Sequence, residues 1–287
     1  MEDFGKIFKK YRESRQLKLR DIASKELSTS QISRFENGES DLTITKFMHA
    51  IQLINMPIDE FMYTANNFKR DELNELLDKI VQYTSSRDIE NLKRLIFEEE
   101  SKECNNATMK KIRVLLIKIH LYDLFGEKLY QEEDIHFLAD YLFSIEYWGR
   151  NELLIFSNAI VAFNTETNLI LLREMNRRTD FYKELPQNRT LIASMNVNAY
   201  IFCVENSEWI EAQYFEQQLK ETYFKETEIY ERLVFIYAKA FHDYKKNKDE
   251  KALNQLYDVI KAMKLAGSVH LAENFEEHLN KILQLNE

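Results

Sequence analysis

The sequence predicts an all-α protein in two parts, a small N-terminal bundle followed by a long array of helices. Three observations carry this. Only five glycines and two prolines occur in 287 residues, too few for the many turns of a sheet-rich fold. Apolar residues recur at three- and four-residue intervals, the period of helices that bury one face. Short polar breaks then punctuate the second part, pairing helices roughly every 38–43 residues.

The first element opens with Phe4, Ile7, Phe8 and Tyr11 at i, i+3, i+4, i+7, while Lys6, Lys9, Lys10, Arg12 and Arg15 occupy the other face. A second short helix is expected over Leu19 to Glu26, burying Leu19, Ile22 and Ala23. A third begins at Ser28, whose hydroxyl suits an N-cap, with Gln31 completing a capping box. Ile32 and Phe35 point it inward, and Asn37-Gly38 ends it, because glycine tolerates the left-handed conformation there. A fourth helix turns Leu42, Ile44, Phe47, Met48 and Ile51 inward; Pro57 starts a fifth, closed by Phe61.

Two short helices with a tight link, the second opening in small polar residues, form a helix-turn-helix pattern. In that motif the second helix enters the major groove by its N-terminal end. Ser28, Thr29, Ser30 and Gln31 keep that end slim and rich in donors and acceptors. Gln31 could pair adenine bidentately, Arg34 could reach guanine or phosphate, and Asn37 follows on the same helix. Lys9, Arg12 and Arg15 are candidates for phosphate contacts. Residues 1–35 carry nine Lys/Arg against five Asp/Glu, whereas residues 67–287 carry 29 against 38. A basic tip on an acidic body confines phosphate attraction to the tip.

Asp21-Ile22-Ala23, the run Ile32-Ser33-Arg34-Phe35-Glu36-Asn37-Gly38-Glu39 and Ile58-Asp59-Glu60-Phe61 resemble the lambda-repressor/Cro-like (Xre) helix-turn-helix family over about residues 4–64. Leu19 stands where that family usually has Gln. The usual turn glycine is absent, and the turn is expected to be one residue shorter.

From Lys69 onward helices are expected at 69–84, 87–101, 107–125, 131–146, 150–163, 167–184, 189–205, 208–223, 226–245, 249–265 and 268–284. The domain boundary therefore falls between residues 66 and 67. The pairing period is that of a tetratricopeptide-like solenoid, although the strict consensus is missing. In such arrays the first helix of each pair lines a concave face. Here those helices carry Arg150, Asn151, Asn158, Asn196 and Asn198. Asparagine offers both a donor and an acceptor to a peptide backbone, and Arg150 could hold a carboxylate. Trp148, Phe156 and Tyr223 are candidates to wall apolar pockets. The asparagines could equally cap helices or face solvent, and Arg150, which follows Gly149 at a helix start, could lie on the surface.

The string Ser30-Gln31-Ile32-Ser33-Arg34-Phe35-Glu36-Asn37-Gly38-Glu39-Ser40, the length and the acidic helical tail together resemble the Rgg (Rgg/GadR/MutR) regulators. That resemblance implies a homodimer on double-stranded promoter DNA of twofold symmetry. It also implies a repeat domain that binds a short peptide pheromone and holds the dimer together. An apolar peptide in the groove would then shift the array between curvatures, changing either the spacing of the two DNA-binding units or the surface shown to RNA polymerase. Two alternatives stay open: a protein-interaction scaffold whose N-terminal bundle does not bind DNA, and an enzyme on a repeat scaffold.

The sequence lacks a Gly-rich phosphate loop, HExxH, Cys-x-x-Cys and Gly-x-Ser-x-Gly, so no catalytic, metal or cofactor site is expected. No apolar run reaches the ~18 residues of a membrane span. Cys104 and Cys203 lie far apart and read as reduced, buried thiols, as expected of a cytoplasmic protein. Glu98-Glu99-Glu100 reads as a solvated face, His120 and His136 as core or boundary residues, and Tyr230, Leu233, Val234 and Tyr237 as a core stripe.

Overall fold

The computed structural model describes residues 3–68, 71–181, 184–221, 224 and 226–284, and among these every regular element is helical. Contacts divide the chain into two units, residues 1–88 and 89–287. The boundary lies beyond the 66/67 expectation because one further helix groups with the first unit.

That unit comprises α1 (Phe4–Ser14), α2 (Thr29–Glu36), α3 (Ile44–Leu53), α4 (Ile58–Ala65) and α5 (Glu72–Ser85). Asp3 caps α1 by accepting from the Gly5 N–H at 2.9 Å. The core is aromatic: Phe47 lies 5.1 Å from Phe61 and 5.7 Å from Phe4, and Phe8 lies 5.9 Å from Phe35. Edge-to-face and offset pairs of this kind add to the area they bury. Gly5 permits the closest approach. A Cβ there would stand 1.9 Å from the Phe35 carbonyl oxygen, so any side chain would push α1 off α2.

The expected helix at Leu19–Glu26 is replaced by a single 3-10 turn, Leu19–Asp21. The Ser24 N–H donates forward to the Leu27 carbonyl (2.9 Å), and the Leu27 N–H returns to Ser24 (3.3 Å). This small loop satisfies the backbone locally and buries Ile22 and Leu27, so a helix would gain nothing further. The link before α2 is correspondingly longer than the sequence suggested. Ile44 was also expected inward, but as the first residue of α3 it is 74% exposed.

The second unit contains α6 (Ile89–Ser101), α7 (Ala107–Phe125), α8 (Glu132–Ser144), α9 (Arg150–Ala159), α10 (Thr165–Arg178), α11 (Pro186–Glu205), α12 (Trp209–Glu221), α13 (Ile229–Asn247), α14 (Glu250–Leu265) and α15 (Val269–Gln284). One row runs α7, α9, α11, α13, each helix packed on the next, with α8 against α10 on the other side. Helices α7 and α11 are buried on several faces, as central members of a layered array must be. The breaks follow chain chemistry. Gly126 at φ 72° ends α7 in the left-handed conformation, and Pro186 starts α11 at its first turn, where no N–H is needed. Helix α10 stops at Arg178, short of the expected 184. Arg178 turns its guanidinium onto the C-terminal carbonyls of α8, donating to Phe143 at 2.7 Å and to Ile145. A cation at carbonyls left unpaired by a helix end is favourable.

Among the described residues, two ion pairs have both side chains buried. Arg12 Nε and Nη2 fork onto Glu36 at 2.6 and 2.8 Å, joining α1 to α2. Arg113 Nε donates to Glu99 at 3.0 Å, joining α7 to α6, and Lys102 takes the other Glu99 oxygen. Glu99 is thus a core residue, in contrast to the solvated face expected of it.

Candidate nucleic-acid interface and ligand groove

Helix α2 is built as the sequence predicts. Ser28 Oγ accepts from the Gln31 N–H (3.3 Å), and the Ser28 N–H donates to Gln31 Oε1 (3.1 Å), closing a capping box. At the other end Gly38 sits at φ 72°, its N–H on the Phe35 carbonyl (3.0 Å), while the Glu39 N–H reaches back to Arg34 (2.8 Å). This is a Schellman ending. Ile32, Phe35 and Glu36 face inward; Ser28, Thr29, Ser30, Arg34 and Asn37 are exposed, and Gln31 is half-buried.

The phosphate candidates divide. Arg15 is exposed, its guanidinium 5.6 Å from the Tyr11 ring centre, and Lys9 is half-buried. Arg12 is corrected: it is buried, its fork spent on Glu36 and its Nη1 on the Leu17 carbonyl at 2.6 Å. Hydrogen bonding to Glu36 holds the Arg12 pKa above its already high ordinary value. Arg12 lies four residues after Phe8, on the apolar stripe, which is why the fold consumes it.

The groove candidates divide in the same way. Trp148 is fully buried, its Nε1–H on the Leu142 carbonyl (3.1 Å) and its ring edge-on to Phe156, so it is core and not a pocket wall. Phe156 is likewise core. Asn196 is buried in a reciprocal amide pair with Asn176, each Nδ2 donating to the other's Oδ1 at 2.9 Å. That pairing consumes what was offered to a peptide. Asn158 is half-buried; its Nδ2 donates to the Leu154 carbonyl (2.8 Å) and its Oδ1 accepts from His120 Nε2 (3.2 Å). Asn151 and Asn198 are exposed, and Arg150, the first residue of α9, is half-buried. Tyr223 lies outside the described residues. Asn198 shares a shallow notch between α11 and α13 with Ser194, Tyr230, Glu231 and Val234.

Residues 93–277 match the family model described as the C-terminal domain of the HTH-type transcriptional regulator Rgg. The chain belongs to the Rgg family. This is a family of transcriptional regulators, not of enzymes. A variant of the SHP pheromone receptor Rgg2 from Streptococcus dysgalactiae is 25% identical, with 98% of this chain and 99% of that one aligned at a TM-score of 0.87. The PrgX/cCF10 complex aligns over 99% of this chain and 93% of PrgX at a TM-score of 0.77 and 16% identity, a likeness of fold.

Within this Rgg chain several polar contacts had no signal in the sequence. Tyr230, read as core, is 46% exposed and lines the notch beside Asn198. His120, half-buried, bridges α7 to α9 through Asn158, and burial holds its pKa below the ordinary imidazole value. His136 is exposed, against expectation. Tyr200 and Tyr237 share hydrogen bonds with His242 (2.7 Å) and His278 (2.8 Å), tying α11 to α13 and α13 to α15. Cys203 is buried as expected, whereas Cys104 is only half-buried. No described helix is long and apolar enough to cross a membrane.

Proposed function

We propose that this Rgg-family protein is a sequence-specific DNA-binding regulator whose repeat unit binds a short apolar peptide. The observation that carries this reading is the end-to-end likeness to a pheromone receptor. Two features of the chain support it. Helix α2 presents a capped, exposed polar edge of the kind that enters a major groove. Helices α9, α11 and α13 expose Asn151, Asn198 and Tyr230; Asn198 and Tyr230 line one notch, and Phe202 and Ile229 are exposed on the same two helices as that notch. Asparagine amides can pair with a peptide backbone, and apolar surface can take its side chains.

The protein acts as a homodimer, reading half-sites of double-stranded promoter DNA about 34 Å apart or at multiples of that spacing. A peptide bound more tightly by one conformation of the array than by another shifts the population and the surface offered to RNA polymerase. The test is fluorescence polarisation with labelled apolar octapeptides, beside a pull-down of fragmented genomic DNA. Asn198→Ala is expected to weaken the best peptide roughly fivefold, the worth of one hydrogen bond. Genomic fragments are expected to be captured with an affinity that falls steeply with salt. Failure of every peptide to change polarisation would remove the sensing half; capture insensitive to salt and sequence would remove the DNA half.

A further inference from the structure

The exposed edge of α2 does not offer all its polar atoms to a ligand. Gln31 Oε1 accepts the Ser28 N–H at 3.1 Å and faces the Ser28 hydroxyl at 3.5 Å. Ser28 Oγ accepts the Gln31 N–H at 3.3 Å and lies 3.3 Å from Ser30 Oγ. Reading adenine bidentately needs both ends of a carboxamide, the oxygen accepting from N6 and the nitrogen donating to N7. Here the oxygen is committed to a backbone donor at the helix's first turn, where such donors have no partner within the helix. Swinging Gln31 outward would strip the Ser28 N–H of that partner.

Ser30, Arg34 and Asn37 lie at i, i+4, i+7 and form one exposed stripe. The Arg34 guanidinium and the Asn37 carboxamide make no side-chain hydrogen bond or ion pair among the described residues. They are therefore free for a ligand without cost to the fold. Resting on the DNA-binding reading above, we infer that Gln31 is a positioning residue for α2, and that base reading falls to the Ser30–Arg34–Asn37 stripe. The geometry assigns Arg34 to an acceptor edge such as guanine N7 and O6, which suits the guanidinium fork.

The experiment selects binding sites from a randomised duplex library with the full-length protein, Gln31→Glu, Gln31→Ala and Arg34→Ala at one salt concentration. Circular dichroism melting checks the fold of each. Glutamate at this position keeps the capping oxygen and removes the amide donors. Gln31→Glu is expected to melt with the parent and to select the same base at every position, with affinity lowered evenly by charge repulsion. Gln31→Ala is expected to melt earlier and to leave the ranking of sequences unchanged. Arg34→Ala is expected to lose roughly 5- to 150-fold discrimination at one guanine. A switch from adenine to cytosine at one position with Gln31→Glu would show Gln31 to be a reader and overturn the inference. So would an unchanged ranking with Arg34→Ala. If the parent protein selects no sequence, the DNA-binding reading fails, and this inference falls with it; that outcome is seen before any variant is compared.

Discussion

Arg12 and Glu36 are 24 residues apart, yet each sits four residues after a buried apolar side chain, Phe8 and Ile32. The helical period thus carried their burial, but the charge of Arg12 argued for the polar face and for phosphate; their pairing had no signal at all, because the partner of a buried charge is set by tertiary packing. The same limit applies to Asn196 and Asn176, joined across 20 residues. The capping box of α2 was legible because both of its residues lie within one turn. Removing one member of a buried pair strands the other, typically at a cost of about 3–5 kcal/mol. Arg12→Ala is accordingly expected to destabilise the N-terminal unit by that order in denaturant unfolding. Arg12→Met with Glu36→Leu should cost far less. A phosphate contact alone would predict weakened DNA affinity with unchanged stability.

Helix existence was read well because each break carries its own chemistry: Gly126, Gly149, Pro186, Asn206-Ser207 and Gly267 all lie at helix ends. The failure at Leu19–Glu26 shows the limit. Leu19, Ile22 and Ala23 have helical spacing, but eight residues form too short a segment for periodicity to outweigh a hydrogen-bonded loop closed by Ser24 and Leu27. With few glycines available, several helices end on other residues in the left-handed conformation, among them Arg87 at φ 53° and Lys248 at φ 53°. That conformation costs an ordinary side chain about 1–2 kcal/mol. Glycine at a C-terminal cap avoids the cost but loosens the unfolded chain. Lys248→Gly and Arg87→Gly are each expected to raise stability by about 0.5–1 kcal/mol, read as a higher midpoint in thermal melting. A fall in midpoint would mean that the side chains contribute more than their backbone strain costs.

Across the whole molecule, half-buried imidazoles link stability to pH. Burial lowers the pKa of His120 and of His242, against the opposing pull of nearby groups such as Asp123 and Glu216. In the unfolded chain both titrate near 6.5. As pH falls below about 6.5 the unfolded state takes up protons first, so stability declines on the acid side and is fully present above that value. His120→Gln is expected to flatten this decline in urea titrations between pH 7 and 5 while retaining a donor to Asn158. The interior of the array has a further consequence for how its motions could be watched. Cys203 is enclosed, and burial pushes its thiol pKa up to about 12, so almost no reactive thiolate exists at neutral pH. Half-buried Cys104 should alkylate first. Modification of Cys203 would then proceed only as fast as α11 loosens from its neighbours. A native thiol becomes a clock for opening of the array, and a bound peptide that tightens the array should slow it.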